Sequence, residues 1–414
     1  MLYERWQHVA KKPRNDWALV DLASGQRWTF AELFAAGEAQ RKDDGLVVYP
    51  QGQSPEFIFS LLAAWRSGKV VCPLETGQVA PEFAAPPSGC VHLKVTSATT
   101  RAARLIAFTA EQLAADAAQI VSAMGLRPDW PNLGVISLAH SYGFSNLVLP
   151  LLLHGVPLIL APAPLPEIIR RAVTNQEAVT LAAVPVLWRA WHEAGGVPRQ
   201  VRLAISAGAP LPLSLERAIF ETSGIKIHNF YGASECGGIA YDATAVPRTD
   251  ATLAGSPFPG VIVSLNDEGS LRVSGPAVGL SYWPDKSEAL GNGTFQTSDL
   301  AELKDGSVFL RGRLSDVINV AGRKVSPETI ERALLTHPLV RDCLAFGTPS
   351  QDEHRTDVIA AVVVSSATET ELKRFLLQTL PAWQVPRSWQ FVESLSTGPR
   401  GKISRAEWRR QFTV

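Results

Sequence analysis

Tyr231-Gly232-Ala233-Ser234-Glu235 puts an aromatic ring, a hydroxyl and a carboxylate on one short segment, and these groups suit successive parts of a nucleotide. A phenol ring can stack on a base, and a serine hydroxyl can hydrogen-bond a phosphate oxygen. A carboxylate suits Mg2+, which usually takes one or two carboxylates plus phosphates. An ordinary strand-to-helix turn would contain the same residues. A second segment, Thr96-Ser97-Ala98-Thr99-Thr100 with Arg101 and Arg104, gathers hydroxyls and guanidinium groups able to bind phosphate by charge-assisted hydrogen bonds. It has no glycine to bring the backbone close, so a solvated polar turn competes with that reading. Asp299 and Arg313 flank one expected hairpin, where they would hold a ribose or form an exposed salt bridge. Gly398-Pro399-Arg400-Gly401-Lys402 is a basic loop that gains meaning only from its place after the others.

The elements that position these groups read as α/β. Short apolar runs (Gly45 to Tyr49, Phe57 to Trp65, Val70 to Cys72, Gly134 to Leu138, Ala178 to Ala183, Arg202 to Ser206, Lys226 to Asn229) alternate with amphipathic stretches. That alternation implies a large N-terminal domain, 1-312, of mainly parallel sheets covered by helices. Leu147 to Pro166 is the most apolar stretch, but its prolines, His154 and Gly155 interrupt it. It reads as a buried helix stopped at Gly155 and a strand from Val156 to Leu160, not as a membrane span. A β-rich subdomain is expected over about 251-312, with turns at Asn266-Asp267-Glu268-Gly269 and Asp305-Gly306. A small α+β domain follows over 313-414, opened by an N-capped helix at Ser326-Pro327-Glu328 and continued by strands Val340 to Gly347 and Asp357 to Val364 and an amphipathic stretch Glu369 to Leu380.

Composition narrows the function classes. The 414 residues carry 39 basic and 39 acidic side chains, so no global field favours nucleic acid or an anionic membrane, and an anion site must be local. Cys72, Cys90, Cys236 and Cys343 lack metal-ligand or redox-pair spacing, which fits reduced thiols in the cytoplasm. Met1 to Asp16 contains no apolar core of signal-peptide length.

In order and spacing the chain resembles the acyl-adenylate-forming superfamily of acyl-CoA and aryl-CoA synthetases, nonribosomal-peptide adenylation domains and luciferases. Tyr231 to Glu235 matches its Tyr-Gly-x-Thr/Ser-Glu, Thr297-Ser298-Asp299 its Thr-Gly-Asp, and Gly312 to Ile318 its Gly-Arg-x-x-Asp-x-Ile. His140-Ser141-Tyr142-Gly143, Ser206 to Leu211, Gly322-Arg323-Lys324-Val325 and Gly401 to Arg405 extend the match. The resemblance implies that a carboxylic acid attacks the α-phosphate of ATP, pyrophosphate leaves, and the thiol of CoA or phosphopantetheine takes the acyl group. It further implies that Gly208, Ala209 and Pro210 line the adenine, Tyr231 stacks on it with Asn229, Phe230 and Gly232 alongside, and Asp299 and Arg313 hold the ribose. Ser234 would touch the α-phosphate, Glu235 would bind Mg2+, and Thr96, Ser97, Thr99, Thr100 and Arg104 would meet the other phosphates. Lys402 would bridge acyl carboxylate and phosphate, its compact ammonium suiting a point of developing charge. The small C-terminal domain would rotate about a hinge near Ser315, turning Gly322 and Arg323 toward pantetheine.

Departures from the family pattern fall in the phosphate loop, where Ala98, Arg101, Ala103 and Arg104 replace both glycines, the proline and the lysine. Roughly 95 residues precede that loop, which implies a trimmed N-terminal subdomain. The resemblance implies an acid pocket walled by His140, Tyr142, Ser206, Ala207, Asn229 and Phe230 and ending near Cys236, Gly237 and Gly238, and its aromatic and small residues lean toward an aryl or medium-length acyl acid. CoA and an acyl carrier protein remain alternative thiol partners. Two competing functions are a non-catalytic adenylate-binding protein with a degenerate phosphate loop, and adenylation followed by oxidation or transfer to a non-thiol acceptor.

Overall fold

Helices and strands start where local chemistry tells them to. Thr29 with Glu32 and Thr109 with Gln112 form reciprocal capping boxes that start helices Phe30–Ala39 and Ala110–Met124. Gly125 and Gly224 end helices in the left-handed conformation. The computed structural model describes residues 1–11, 16–41, 45–82, 85–96, 104–349, 357–395 and 404–412. It contains two compact units: Met1–Thr249 with Ala254–Ser264 and Arg272–Gln296, and Asp250–Leu253 with Leu265–Leu271 and Thr297–Val414.

In the larger unit, the strands Ile227–Ala233, Val201–Ser206, Val179–Ala183, Asn132–Gly134, Leu158–Leu160 and Trp17–Asp21 lie side by side in that order, all parallel. Antiparallel strands continue the sheet at both margins, Arg27–Thr29 beside Trp17–Asp21 and Gly237–Tyr241 beside Ile227–Ala233. The parallel strands are almost wholly buried, as expected where helices cover both faces. A second sheet runs Ser281–Trp283, Leu105–Phe108, His92–Val95, Val70–Val71, Val47–Val48. The mixed α/β class read from the sequence is the class observed. Local differences have plain causes. Phe57–Trp65 lies in helix Pro55–Arg66, because Pro55 at the first turn and a twelve-residue length favour helix over strand. The run expected from Gly134 is a strand that ends at Gly134. The segment after Gly143 forms wide helical turns Phe144–Val148 and Pro150–His154, stopped by Gly155 at φ +72° before strand Leu158–Leu160. Among the described residues no helix is long and apolar enough to cross a membrane.

In the smaller unit, the hairpin between Thr297 and Arg313 turns at Asp305-Gly306, both with positive φ, as a tight hairpin turn requires. Strands Ile318–Val320 and Arg323–Val325 pair, helix Pro327–Leu335 follows, and Val340–Pro349, Asp357–Ser365 and Ser388–Phe391 form a three-stranded sheet in that order. Their apolar faces share a core with helix Glu369–Leu376. Ser326 precedes the helix as expected but makes no side-chain cap; its hydroxyl donates to Glu328 instead.

His92 sits at the centre of the second sheet, with no exposed surface and its ring 4.3 Å from that of Phe144. Neither ring nitrogen has a hydrogen-bond partner among the described residues. Burial, aided by Lys94, holds its pKa well below the ordinary histidine value, so the folded protein keeps it neutral where the unfolded chain protonates it. Its contribution to stability is complete above about pH 6.5 and is lost as pH falls below that toward the depressed folded-state value, at up to about 1.4 kcal/mol per pH unit. His92→Phe should therefore flatten the pH dependence of urea unfolding between about pH 7 and pH 5. An unchanged slope would assign that dependence to other groups.

Candidate functional site

Strand Ile227–Ala233 continues through most of the Tyr231 to Glu235 motif and then turns back on itself. Phe230 pairs with Tyr241 and Ala233 with Gly237, so the motif forms a hairpin whose tip is Ser234–Cys236. A strand follows the motif, not the helix of the ordinary strand-to-helix turn that the sequence also allowed. The tip is held from three sides. Ser141 Oγ donates to Ser234 Oγ at 2.9 Å, and the Gly279 amide donates to the Glu235 carbonyl at 2.8 Å. The Tyr282 hydroxyl donates to Glu235 Oε1 at 3.0 Å. Burial and the Glu235 charge both raise the Tyr282 pKa, which keeps the phenol protonated and donating.

The Tyr282 ring also carries the Arg104 guanidinium on its face, 5.4 Å from the centroid. Arg104 is placed by strand pairing. Its amide donates to Thr96 Oγ1 at 3.0 Å and its carbonyl accepts from the Thr96 amide at 2.8 Å. Thr96, Arg104, Tyr282 and Glu235 thus form a continuous string of contacts. Ser97, Thr99 and Thr100, between the first two, lie outside the described residues.

The other expected residues of the larger unit surround the same hairpin. His140 Nδ1 accepts from the Tyr142 amide at 3.3 Å, which fixes the short turn that presents Ser141. The Tyr142 hydroxyl reaches the Ala183 and Ile205 carbonyls, and its ring lies 5.8 Å from Phe230. Ser206 is opposite Asn229 across parallel strands, and Ala207 donates to the Ala183 carbonyl. Gly208, Ala209 and Pro210 leave the end of strand Val201–Ser206 on an exposed loop, Gly208 at φ +84°. Tyr231 is half-buried and Gly232 is exposed. Gly237 and Gly238 permit close packing, since a Cβ would lie 2.1 Å from Asp116 Oδ1 at the first and 2.5 Å from the Phe258 ring at the second.

In the smaller unit Asp299 and Arg313 are cross-strand partners, with Arg313 Nε 3.0 Å from Asp299 Oδ1. Ser315 lies in a single 3₁₀ turn and donates to Asp316 Oδ1. Gly322, at φ +82°, donates its amide to Asn319 Oδ1 at an exposed turn, and Arg323 lies over the Trp383 ring. Lys402 lies outside the described residues. Three residues beyond it, Arg405 binds Asp316, Glu328 and Glu331 at 2.9, 2.8 and 2.7 Å. Burial pushes the Glu331 carboxyl upward, and the Arg405 charge opposes that shift.

Sequence reasoning assigned no role to Tyr282, Lys94, Asp116 or Arg405. For Lys94 a signal existed, since a lysine inside the apolar run His92–Val95 demands a buried partner. That partner is Asp116, 3.8 Å away with both side chains almost fully covered. Among the described residues no group of three or more His, Cys, Asp or Glu could hold a metal. Glu235 as a lone carboxylate beside hydroxyls fits a hard cation that takes its remaining ligands from phosphate and water.

The family model for AMP-binding enzymes matches residues 81–283, and that for the AMP-binding enzyme C-terminal domain matches 329–402. The chain is 30% identical over 306 residues to a 2-succinylbenzoate–CoA ligase of Bacillus mycoides, covering 69% of this chain and 63% of that protein. It is 30% identical over 259 residues to the fatty acid–[acyl-carrier-protein] ligase ScoC of Streptomyces coeruleorubidus, covering 56% and 50%. The chain therefore spans less than two thirds of either relative's length. ATP-bound MatB from Rhodopseudomonas palustris shares the fold, with a TM-score of 0.86 at 20% identity over 99% of both chains.

Removing the Arg405 charge should leave its three partly buried carboxylates uncompensated. Arg405→Met is expected to destabilise the smaller unit by about 1 to 3 kcal/mol. Hydrogen exchange of the amides in Val340–Pro349 would report it, and unaltered protection would show that the clamp is dispensable.

Proposed function

This chain belongs to the AMP-binding enzyme family, and we propose that it is an acid-thiol ligase which converts a carboxylic acid and ATP into an acyl-adenylate and then a thioester. The observation that carries the reading is the string Thr96, Arg104, Tyr282, Glu235, which ties a candidate phosphate cation to a candidate metal carboxylate through one phenol. In the first step an acid oxygen forms a bond to the α-phosphorus while the bond to the pyrophosphate oxygen breaks. In the second a thiolate attacks the acyl carbon and AMP leaves.

This chain's groups suit charge stabilisation at those oxygens. Ser234 donates to the α-phosphate, and Arg104 turns from the Tyr282 face to the outer phosphates, where its planar fork can bind two oxygens. Tyr231 stacks on adenine, with Gly208, Ala209 and Pro210 along its edge. Asp299 accepts from the ribose hydroxyls, and Arg313 neutralises it. Glu235 and substrate phosphates would hold Mg2+, which would neutralise phosphate charge when bound. Lys402 supplies the positive charge where carboxylate and phosphate meet. Gly322 and Arg323 serve the thiol step with CoA or an acyl carrier protein. His140, Tyr142, Ser206, Ala207, Gly237 and Gly238 bound an aryl or medium-length acyl acid; the relatives' names include an aryl acid and a fatty acid. Four unpaired, buried cysteines support a cytoplasmic setting.

Acid-dependent exchange of pyrophosphate into ATP, run over aryl, short, medium and long-chain carboxylates with and without CoA, tests the reading. Exchange with one class is expected. Silence from folded protein that still binds ATP would favour the non-catalytic adenylate binder, and adenylate formation without any thioester would favour a non-thiol acceptor. Lys402→Ala should slow adenylation by about 100- to 1,000-fold while sparing thioester formation from supplied acyl-adenylate. Equal loss in both half-reactions would refute its role. Arg104→Ala should raise the KM for ATP by about 10-fold or more, and an unchanged KM would remove Arg104 from the phosphate site.

A further inference from the structure

Ser141 and Ser234 meet hydroxyl to hydroxyl, Ser141 Oγ donating to Ser234 Oγ at 2.9 Å although the two lie 93 positions apart in sequence. Both side chains are half-buried. A serine hydroxyl carries one proton and accepts through its lone pairs. With the Ser141 proton on Ser234 Oγ, the Ser234 proton points to another acceptor. A hydroxyl that accepts a bond is also a stronger donor in its own right. Without that partner the Ser234 hydroxyl would rotate among its staggered positions.

The turn that carries Ser141 is braced on every side. His140 Nδ1 accepts from the Tyr142 amide, and the Phe144 amide donates to the His140 carbonyl at 2.8 Å. Asn146 Nδ2 donates to the Tyr142 carbonyl at 3.1 Å, and the Tyr142 hydroxyl lies 3.4 Å from the carbonyls of Ala183 and Ile205 on two strands of the main sheet. Gly143 is packed so closely under Ser137 that a Cβ would collide with the Ser137 carbonyl. Ser137 Oγ accepts from the Ala139 amide at 3.2 Å and donates to Glu75 Oε2 at 2.8 Å, and Glu75 follows strand Val70–Val71 of the second sheet. Both sheets of the larger unit therefore fix the place from which Ser141 reaches the hairpin tip.

We propose that Ser141 is a positioning residue for acyl-adenylate formation, which orients the Ser234 hydroxyl so that its proton meets an oxygen of the α-phosphate. This role deepens the ligase reading and rests on it. The backbone of the tip has other holds, since Ala233 pairs with Gly237 and the Gly279 amide donates to the Glu235 carbonyl. What Ser141 adds is the direction of one proton. As an acid oxygen bonds to the α-phosphorus and pyrophosphate leaves, charge shifts among the phosphate oxygens, and a donor already aimed at one of them needs no reorientation at that moment.

The test is a double-mutant cycle on acid-dependent pyrophosphate exchange, with Ser141→Ala, Ser234→Ala and the two combined. Each substitution removes a single oxygen atom from a half-buried position, so the variants should fold, and thermal unfolding checks that they do. Ser141→Ala should lower kcat/KM for ATP by about 3- to 10-fold, the worth of one neutral hydrogen bond. Ser234→Ala should lower it at least as far, and the combined variant should fall no lower than Ser234→Ala, because a residue that acts through Ser234 has nothing to orient once that hydroxyl is gone. A purely structural Ser141 would cost the same in both backgrounds. Additive losses, or no loss in either single variant, would overturn the proposal. If no acid supports exchange with the wild-type protein, the ligase reading fails separately, and calorimetric binding of AMP, which carries the same α-phosphate, decides the role of Ser141. Non-additive weakening would support it; additive weakening, none, or no AMP binding by the wild-type protein would overturn it.

Discussion

Gly237 has room only for hydrogen, and the candidate site depends on that close approach. A side chain there would collide with Asp116 of helix Ala110–Met124, whose carboxylate is held by Ser145 and Lys94 from two other elements. Strand Gly237–Tyr241 is thus pressed against the helix, and the hairpin it forms with Ile227–Ala233 can reverse only at Ser234–Cys236. From that position the Ser234 hydroxyl meets Ser141, and Glu235 meets Tyr282. The parallel sheet supplies the other side, since Ile227–Ala233 takes its register from Val201–Ser206 and so sets Asn229 opposite Ser206. One hairpin is therefore parallel to its neighbour on one side, antiparallel within itself, and pinned at its tip.

Buried charge fixes the opposite end of the same hairpin. Lys226 precedes the first strand and Asp242 follows the second, and Lys226 Nζ joins them at 2.7 Å while also contacting Glu216. Glu216 in turn takes Arg248 Nε at 2.9 Å. All four side chains are almost fully covered. Pairs of this kind add little net stability over apolar residues of the same shape, because desolvation offsets most of their attraction. Their consequence here is geometric, since an ammonium between two carboxylates leaves the strand ends little freedom to slip. A chain with 39 basic and 39 acidic residues therefore has no net field and still concentrates compensated charge at both ends of one hairpin.

The elements whose patterns are local were legible in the sequence. Val179–Ala183 and Val201–Ser206 read as buried parallel strands because they are short apolar runs between helical stretches, and Asp305-Gly306 read as a turn because few other dipeptides adopt paired positive φ. The order of Glu235, Asp299, Arg313 and Lys402 pointed to the family that the comparisons identify. What stayed hidden depends on partners distant in sequence. Tyr282 looks like any strand aromatic until its hydroxyl meets Glu235, 47 positions away. Asp116 sits in an alanine-rich helix where a carboxylate reads as solvated, and only the glycine pair of another element turns that face inward. Ser326 misled because its helix start is right while its hydroxyl prefers the carboxylate of Glu328.

The same contrast bears on the phosphate segment. Glycine-rich loops bind phosphate by bringing backbone amides close, and residues 96–104 contain no glycine to do so. Here Arg104 leaves from the last rung of a strand pair, fixed through both its backbone groups to Thr96. Its guanidinium rests on a ring whose hydroxyl is already bonded to Glu235. The cation is therefore positioned by sheet geometry and one aromatic contact rather than by loop flexibility. A side chain held in this way loses less rotamer freedom when it meets an anion than one extended into solvent. Under the proposed function, replacement of the glycines shifts phosphate recognition from backbone to side chain, and Tyr282 is the residue through which Arg104 and the hairpin tip are joined.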